Sequence, residues 1–298
     1  MPRPTRPTSL IGLTLHAARL KRRPVGCAFA LLVAALALCC LLWHRPRAEV
    51  TVATFNIEFF PRDARQIEGA FEAIEDLDAP VIAVQEITEP RVFAEQARAR
   101  LGDDWRFVHA GGGAPLRVGV LYDGARYRLS WARTRAEPTL GGRHRPALEV
   151  RLRSREGGRA LRVIVVHLKA GGDHAATRRE QLRQLEPVLA EAARSWDELV
   201  ILGDFNATGD DDRATIAALA DRLGLTWASE GLACTSYWAR RDGCRGSALD
   251  HVLTRSAPSH VAARGPCETI GCDPGDRCPA FHREVSDHCP VTATLTGR

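Results

Sequence analysis

Eight consecutive residues, Leu199-Val200-Ile201-Leu202-Gly203-Asp204-Phe205-Asn206, constrain the fold of this chain more than any other stretch. Four apolar residues run without a break into glycine, a carboxylate and, two residues later, a carboxamide. A short apolar run closed by glycine is the pattern of a strand buried on both faces. In an extended chain alternate side chains share a side, so Asp204 and Asn206 project together. Sheets of α/β proteins keep their chemistry where strand ends open onto a crevice. Asp, Asn and Gly also favour turns, so the same residues read equally well as a strand followed by an Asx turn.

The same design recurs along the chain. Glu49–Ile57 alternates as a first strand and ends at Asn56. Pro80–Gln85 is a second apolar strand closed by Glu86, and Val163–Val166 runs into His167. Asp250 precedes His251-Val252-Leu253, and Ser286-Asp287-His288 precedes a last strand at Pro290–Leu295. Between these lie helical patterns. Asp63–Leu77 has apolar residues at helical spacing behind a capping Asp63. Others cover Val92–Leu101, a stretch from Asp173 with Leu182, Leu185 and Leu189 on one face, and Thr215–Leu223. Trp105–His109, Leu116–Tyr122 and Tyr127–Ala132 read as strands, and Pro146–Leu152 with Leu161–Leu168 as a hairpin. Interleaved strands and helices with no repeat and no internal linker give one α/β domain over residues 48–298.

Each polar strand end has a bland reading as a turn residue or a semi-buried histidine. Their repetition points instead to metal-assisted attack on phosphorus. Carboxylate and carboxamide oxygens are hard ligands suited to Mg²⁺ rather than Zn²⁺. Such an ion neutralises phosphate oxygens and the developing charge of a leaving group. Two histidines near carboxylates can bind phosphate or move protons near neutral pH. There is no G-x-S-x-G nucleophile motif, and Gly111-Gly112-Gly113 lacks the G-K-[ST] ending of a phosphate loop.

The overall charge of +5 misleads. Residues 1–47 carry eight basic residues and no acid, so the remaining chain holds 33 basic against 36 acidic residues and is close to −3. The folded part is therefore no basic nucleic-acid-binding body. Val25–Trp43 is uncharged over 19 residues. At about 1.5 Å per residue it just spans a bilayer core of about 30 Å. Lys21, Arg22 and Arg23 precede it, which orients the N-terminus to the cytoplasm and the rest outside. Residues 1–24 then form a basic cytoplasmic tail and 25–43 a single-pass membrane anchor. The absence of a small-x-small site after the apolar run disfavours the alternative, a cleaved signal that would release a secreted protein.

Six cysteines, Cys234, Cys244, Cys267, Cys272, Cys278 and Cys289, fall within the last 65 residues. Their even number and loop-like setting fit disulfides formed in an oxidising compartment, with 15 pairings open. Cys234–Cys244 is the natural local pair, leaving Cys289 to join one of the other three. No C-x-x-C supports a zinc site. A disulfide-pinned Cys267–Phe281 loop beside the site mouth is expected to shape substrate access.

Six ordered motifs carry a resemblance: Thr54-Phe55-Asn56-Ile57-Glu58, Val84-Gln85-Glu86, Val166-His167-Leu168-Lys169, Gly203-Asp204-Phe205-Asn206, Leu249-Asp250-His251-Val252 and Ser286-Asp287-His288-Cys289-Pro290-Val291. Over about residues 50–296 the chain resembles the endonuclease/exonuclease/phosphatase superfamily, which includes deoxyribonuclease I-like nucleases, abasic-site endonucleases, sphingomyelinases and inositol phosphatases. The resemblance implies a four-layer α/β sandwich of two mixed sheets flanked by helices. It implies that Asn56 and Glu86 hold Mg²⁺ (or Mn²⁺), with Asp287 as a further candidate ligand. It implies that Asp204 and Asn206 position the attacking water, that His288 works paired with Asp250, and that His167 contacts the phosphate from the other side.

The chain departs from deoxyribonuclease-like members where they place a Tyr and a Glu. Here the segment is Gly-Gly-Gly-Ala-Pro-Leu-Arg117, which leaves the partner of His167 open. Arg117-Val118-Gly119-Val120-Leu121-Tyr122 and Arg145-Pro146 instead resemble bacterial extracellular nucleases. Arg117 and Arg145 are thus candidate phosphate contacts, or exposed charges at strand starts; Arg178 is a weaker candidate. The expected activity is a Mg²⁺-dependent extracytoplasmic nuclease acting on nucleic acid. A sphingomyelinase-like phosphodiesterase or phosphatase is the alternative enzyme, for which Tyr237-Trp238 is the one exposed-looking aromatic pair. A membrane-anchored binding module without turnover is the non-catalytic alternative, disfavoured because every motif position is filled.

Overall fold

The computed structural model describes residues 49–296. The apolar segment Val25–Trp43, and the anchor and topology read from it, lie outside the described residues. Among the described residues no helix is long and apolar enough to cross a membrane.

Two six-stranded sheets form the centre. The first contains β1 (Glu49–Phe60), β2 (Val81–Ile87), β3 (Trp105–His109), β4 (Arg117–Asp123), β13 (Pro258–Ala263) and β14 (Val291–Thr296), in the order β13-β14-β1-β2-β4-β3. The second contains β5 (Tyr127–Arg135), β6 (Ala147–Ser154), β7 (Leu161–His167), β8 (Glu198–Asp204), β9 (Thr226–Trp227) and β12 (Asp250–Thr254), in the order β5-β6-β7-β8-β12-β9. Only β1–β2 and β7–β8 pair in parallel; the other ladders are antiparallel.

Alternation along the strands builds the layers. In β8, Val200 and Leu202 enter the core between the sheets, with Val52 of β1 and Val163 and Val165 of β7. Leu199 and Ile201 point the other way, under α3 (Ala175–Ala193) and α4 (Asp210–Leu223). In β2, Val81 and Ala83 join the inter-sheet core, whereas Ile82 and Val84 pack under α1 (Ala64–Glu75) and α2 (Pro90–Leu101). The result is helix, sheet, sheet, helix. Each fully buried aliphatic side chain in these clusters contributes about 2 kcal/mol, so faces this continuous dominate local preference. Helix starts follow local chemistry: Asp63 caps α1 by accepting from the Gln66 N–H at 2.9 Å.

Four strands escape the sequence reading: β9, β13, and a separate antiparallel ribbon of β10 (Ser236–Arg240) and β11 (Gly243–Ser247). They are short and polar, and glycine interrupts β11, so no period-two apolar signal marks them. The expected Cys234–Cys244 bond is not formed. The pairs are Cys234–Cys272, Cys244–Cys278 and Cys267–Cys289. In the ribbon Cys244 faces Ala239, and Cys234 lies outside the pairing altogether, so each of these two cysteines reaches the Cys267–Phe281 loop instead. Cys289 does join a loop cysteine, as expected. Tyr237 is buried with its hydroxyl donating to the Gly271 carbonyl at 2.6 Å, which leaves Trp238 exposed alone and removes the expected aromatic pair.

Candidate active site

The parallel pairs bring the C-terminal ends of β1, β2, β7 and β8 to one end of the sandwich. The antiparallel β12 and β14 bring their beginnings to the same end. Register does the fine placement: His167 and Asp250 both lie opposite Asp204, on its two sides in the second sheet. Backbone strain gathers there too. Glu58, Phe59, Glu86 and Asn206 are non-glycine residues with positive φ, and the β1–β2 ladder slips between Asn56 and Phe60. Such conformations cost about 1–3 kcal/mol each and persist where surrounding structure enforces them.

Asp204 is the hub. Its Oδ2 accepts from Asn56 Nδ2 at 3.0 Å and from Asn206 Nδ2 at 2.9 Å. Its Oδ1 accepts the Asn206 N–H at 2.8 Å, which is the Asx turn that the sequence allows. His167 Nε2 lies 3.3 Å and His288 Nε2 3.9 Å from Oδ2. Burial pushes the Asp204 carboxyl up to about 7, against the pull of His288 and its hydrogen bonds.

The two histidines differ. His288 Nδ1 is 2.7 Å from Asp250 Oδ2, which also accepts from Thr235 Oγ1 at 2.8 Å. Burial alone would depress His288, but Asp250 and Asp204 outweigh it and hold the imidazole well above its ordinary range. His167 is driven well below its ordinary range by burial, then by Arg145 and His288. Among the described residues nothing hydrogen-bonds to His167 Nδ1. The Gly-rich departure from the resembling nucleases is therefore matched by a missing orienting group.

The remaining carboxylates cluster across the front. Glu86 Oε1 is 3.4 Å from Asn56 Nδ2 and 3.6 Å from His167 Nε2, while Oε2 accepts the Phe59 N–H at 3.2 Å. Asp287 is partly exposed and lies 3.8 Å from His288 Nε2. Glu58 is raised by burial and by the neighbouring charges of Asp287 and Glu86, which places three acids within each other's field. Oxygen donors crowded in this way fit a hard divalent cation. A tighter group, Asp204, Asp250 and His288, holds ligand atoms within 4.8 Å of one another. Asp250 Oδ2 and both Asp204 oxygens already accept hydrogen bonds there, as do both Glu86 oxygens and Asn56 Oδ1 in the front, so both groups are candidate cation sites.

Arg145 reaches the site. It is largely buried, its Nη2 donates to the Leu168 carbonyl at 2.6 Å, and its charge is felt by Asp204 and Glu86. Arg117 sits at the rim, donating to the Thr88 carbonyl at 3.2 Å and contacting no site carboxylate. Arg178 is fully buried and bidentate to Asp212, a structural tie. Sequence reading overlooked Thr235, fifteen residues before the Asp250 it anchors. It also overlooked Ser286, whose Oγ donates to the Asn56 carbonyl at 2.7 Å and accepts the His288 N–H at 3.0 Å. Ser286 lies inside a motif and was findable; no local signal marks Thr235.

A family model described as the Endonuclease/Exonuclease/phosphatase family matches residues 53–288. Among solved structures, humanized D. rerio TDP2 is similar with a TM-score of 0.65 at 19% identity, covering 83% of this chain and 99% of that one. D. rerio TDP2 complexed with single strand DNA product gives 0.61 at 17% identity, with 84% and 99% covered. The human Nocturnin catalytic domain with bound sulfate anion gives 0.62 at 16% identity, with 86% and 100% covered. At such identities the likeness establishes the fold. No curated protein sequence matches the chain.

Proposed function

The chain belongs to the endonuclease/exonuclease/phosphatase family, and from that premise we propose that it is a divalent-metal-dependent phosphodiester hydrolase, a nuclease acting outside the cytoplasm. One observation carries the reading: His167 Nε2 and His288 Nε2 lie 3.3 Å and 3.9 Å from the buried Asp204, behind a front of carboxylates.

In this reading Asn56, Glu86 and Asp287 would hold Mg²⁺ or Mn²⁺, which would supply charge neutralisation at the phosphate oxygens. Asp204, oriented by Asn56 and Asn206, takes the proton of the attacking water; a carboxylate raised to about 7 is matched to that task near neutral pH. His288, kept cationic by Asp250, faces the charge that grows on the phosphoryl oxygens. His167 donates Nε2–H to a phosphate oxygen. Arg145 adds fixed positive charge behind His167. Three disulfides favour an oxidising compartment, consistent with the extracytoplasmic placement read from residues 1–43. Nucleic acid as substrate draws support from the TDP2 structure that holds a single strand DNA product.

The test is Mg²⁺-dependent cleavage of plasmid DNA beside sphingomyelin vesicles and a phosphomonoester, with Glu86→Ala and His288→Ala as controls. DNA nicking abolished by chelator and by both substitutions is the expected result. Cleavage of lipid alone would transfer the mechanism to another substrate, and a folded, metal-loaded protein that cuts nothing would remove the enzyme reading.

A further inference from the structure

A cavity of about 940 Å³ opens beside the site, where Arg145 and Lys169 form part of its wall. Two glycine-rich segments bound it: Gly111–Gly113, which follows β3, and the turn around Gly142 before β6. A Cβ added at Gly113 or at Gly142 would meet nothing within 4 Å, so these glycines leave the walls open rather than fill them.

The charge of the lining is one-sided. Arg143, His144, Arg145 and Lys169 line the cavity, and among the described residues no carboxylate does. Some arginines elsewhere pair with acids, as in Arg151–Asp197, Arg178–Asp212 and Arg222–Glu186, and others, such as Arg117 and Arg255, bond to carbonyls. The cavity cations are of the second kind: Arg143 Nε donates to the Leu140 carbonyl at 3.0 Å and Lys169 Nζ to the Ala170 carbonyl at 2.9 Å. Among the described residues Arg143 and Lys169 form no ion pair, within a domain that is otherwise slightly acidic. Lys169 is also the only lysine after residue 21.

The rim is braced. Buried Arg178, anchored on Asp212, donates to the carbonyls of Lys169 at 2.9 Å and Gly171 at 2.7 Å. Arg145 holds the carbonyls of His167 and Leu168. Lys169 therefore stands two residues beyond His167 on a fixed loop. The lining contains no Phe, Tyr or Trp that would receive a quaternary ammonium group.

We propose that this cavity is a subsite for the phosphate-bearing chain that flanks the scissile bond, with Arg143 and Lys169 as its contacts. The substrate is then a polyanionic strand, and a diester with a choline head group is disfavoured by like charge. The inference rests on the hydrolase reading for its meaning, but its binding step can be measured apart from catalysis.

The full oxidised chain and its Arg143→Ala/Lys169→Ala variant are compared in two assays. The first is fluorescence anisotropy of a labelled ten-nucleotide single strand in chelator. The second is hydrolysis of that strand and of bis(p-nitrophenyl) phosphate with Mg²⁺. Loss of two phosphate contacts is expected to weaken strand binding about tenfold and to reduce the log–log salt slope by about 1.4. The preference for the strand over the single-phosphate diester is expected to fall by a similar factor, with Arg143→Lys/Lys169→Arg restoring most of it. Equal strand affinity in both proteins, or an equal rise in KM for both substrates, overturns the subsite. If neither protein hydrolyses strand or diester while strand affinity still falls in the variant, the hydrolase reading fails and the cavity remains a strand-binding site.

Discussion

His167 and His288 carry the same imidazole and end in opposite charge states, because burial acts on both but only His288 gains a carboxylate partner at 2.7 Å. With His288 as the cation facing phosphate, His288→Ala is expected to lower kcat by about 10²–10⁴. Asp250→Asn removes the main anion beside His288, so the imidazole loses its proton at lower pH. The alkaline limb of the kcat–pH profile is then expected to move acidward. A third histidine affects stability. His251 is fully buried, its Nδ1 3.3 Å from Trp227 Nε1, and burial lowers it to about 3. An unfolded chain takes up its proton below about 6.5 whereas the folded one resists until about 3, so stability falls as pH drops through that window. At pH 5 the loss from this one group is about 2 kcal/mol. His251→Gln is therefore expected to show a smaller drop in Tm between pH 7 and pH 5, measurable by calorimetry.

At the scale of elements, β8 poses a register problem that its side chains do not solve. Leu199 to Leu202 are apolar on both faces, so a one-residue slip would bury them equally well. Gly203 supplies the stop. It lies opposite Val166 with φ +139, and a Cβ there would sit 2.0 Å from the Val166 carbonyl oxygen. Only glycine fits at that point, and this locks Asp204 beside His167. Gly203→Ala is expected to cost about 3 kcal/mol or more and to be seen as a lowered denaturation midpoint. The β10–β11 ribbon answers a different need. Its backbone joins the segment before β14 through Tyr237 N–H to the Asp287 carbonyl and Cys289 N–H to the Thr235 carbonyl, both at 2.7 Å. The cysteines form a small cluster of their own, apart from the three large cores. Cys267→Ser/Cys289→Ser opens a loop of sequence separation 22 and is expected to cost about 3 kcal/mol on a chain-entropy model. A reductant is expected to reduce activity and alter substrate preference while far-UV circular dichroism changes little. Unchanged activity and preference after reduction would show that the loop does not shape the site.

Across the whole molecule, the site is a seam between two sheets. Asn56, Glu86 and Asp287 come from the first sheet and its flanking loop, and Asp204 and Asp250 from the second. Negative charge from both halves meets there, and a bound cation would offset that repulsion. Magnesium ion at 10 mM, with an affinity near 1 mM, is expected to raise Tm by about 3 °C through mass action. Glu86→Gln is expected to abolish the rise, read by differential scanning fluorimetry with and without chelator.

Much of this protein is decided locally. Burial period, glycine stops and Asp or Asn at strand ends are properties of a few adjacent residues, so the central strands, the four long helices and the polar groups closing β1, β2, β7 and β8 are readable from sequence. The gathering of Asp204, Asn206, His167, Asp250 and His288 into one buried cluster is a matter of register between strands, which no single segment contains. Disulfide choice depended on loops closing over separations of 22 to 38 residues, where the nearest cysteine in sequence is not the nearest in space. Thr235 found Asp250, and Arg178 found Asp212, through the same long-range closure. The opposite shifts of the two histidines likewise followed from what the fold brought beside each: Asp250 and Asp204 at His288, and burial with Arg145 at His167. Local steric and hydrophobic preference sets what each segment becomes; only the packing of distant segments sets which polar atoms share a buried, low-dielectric space and how each one titrates there.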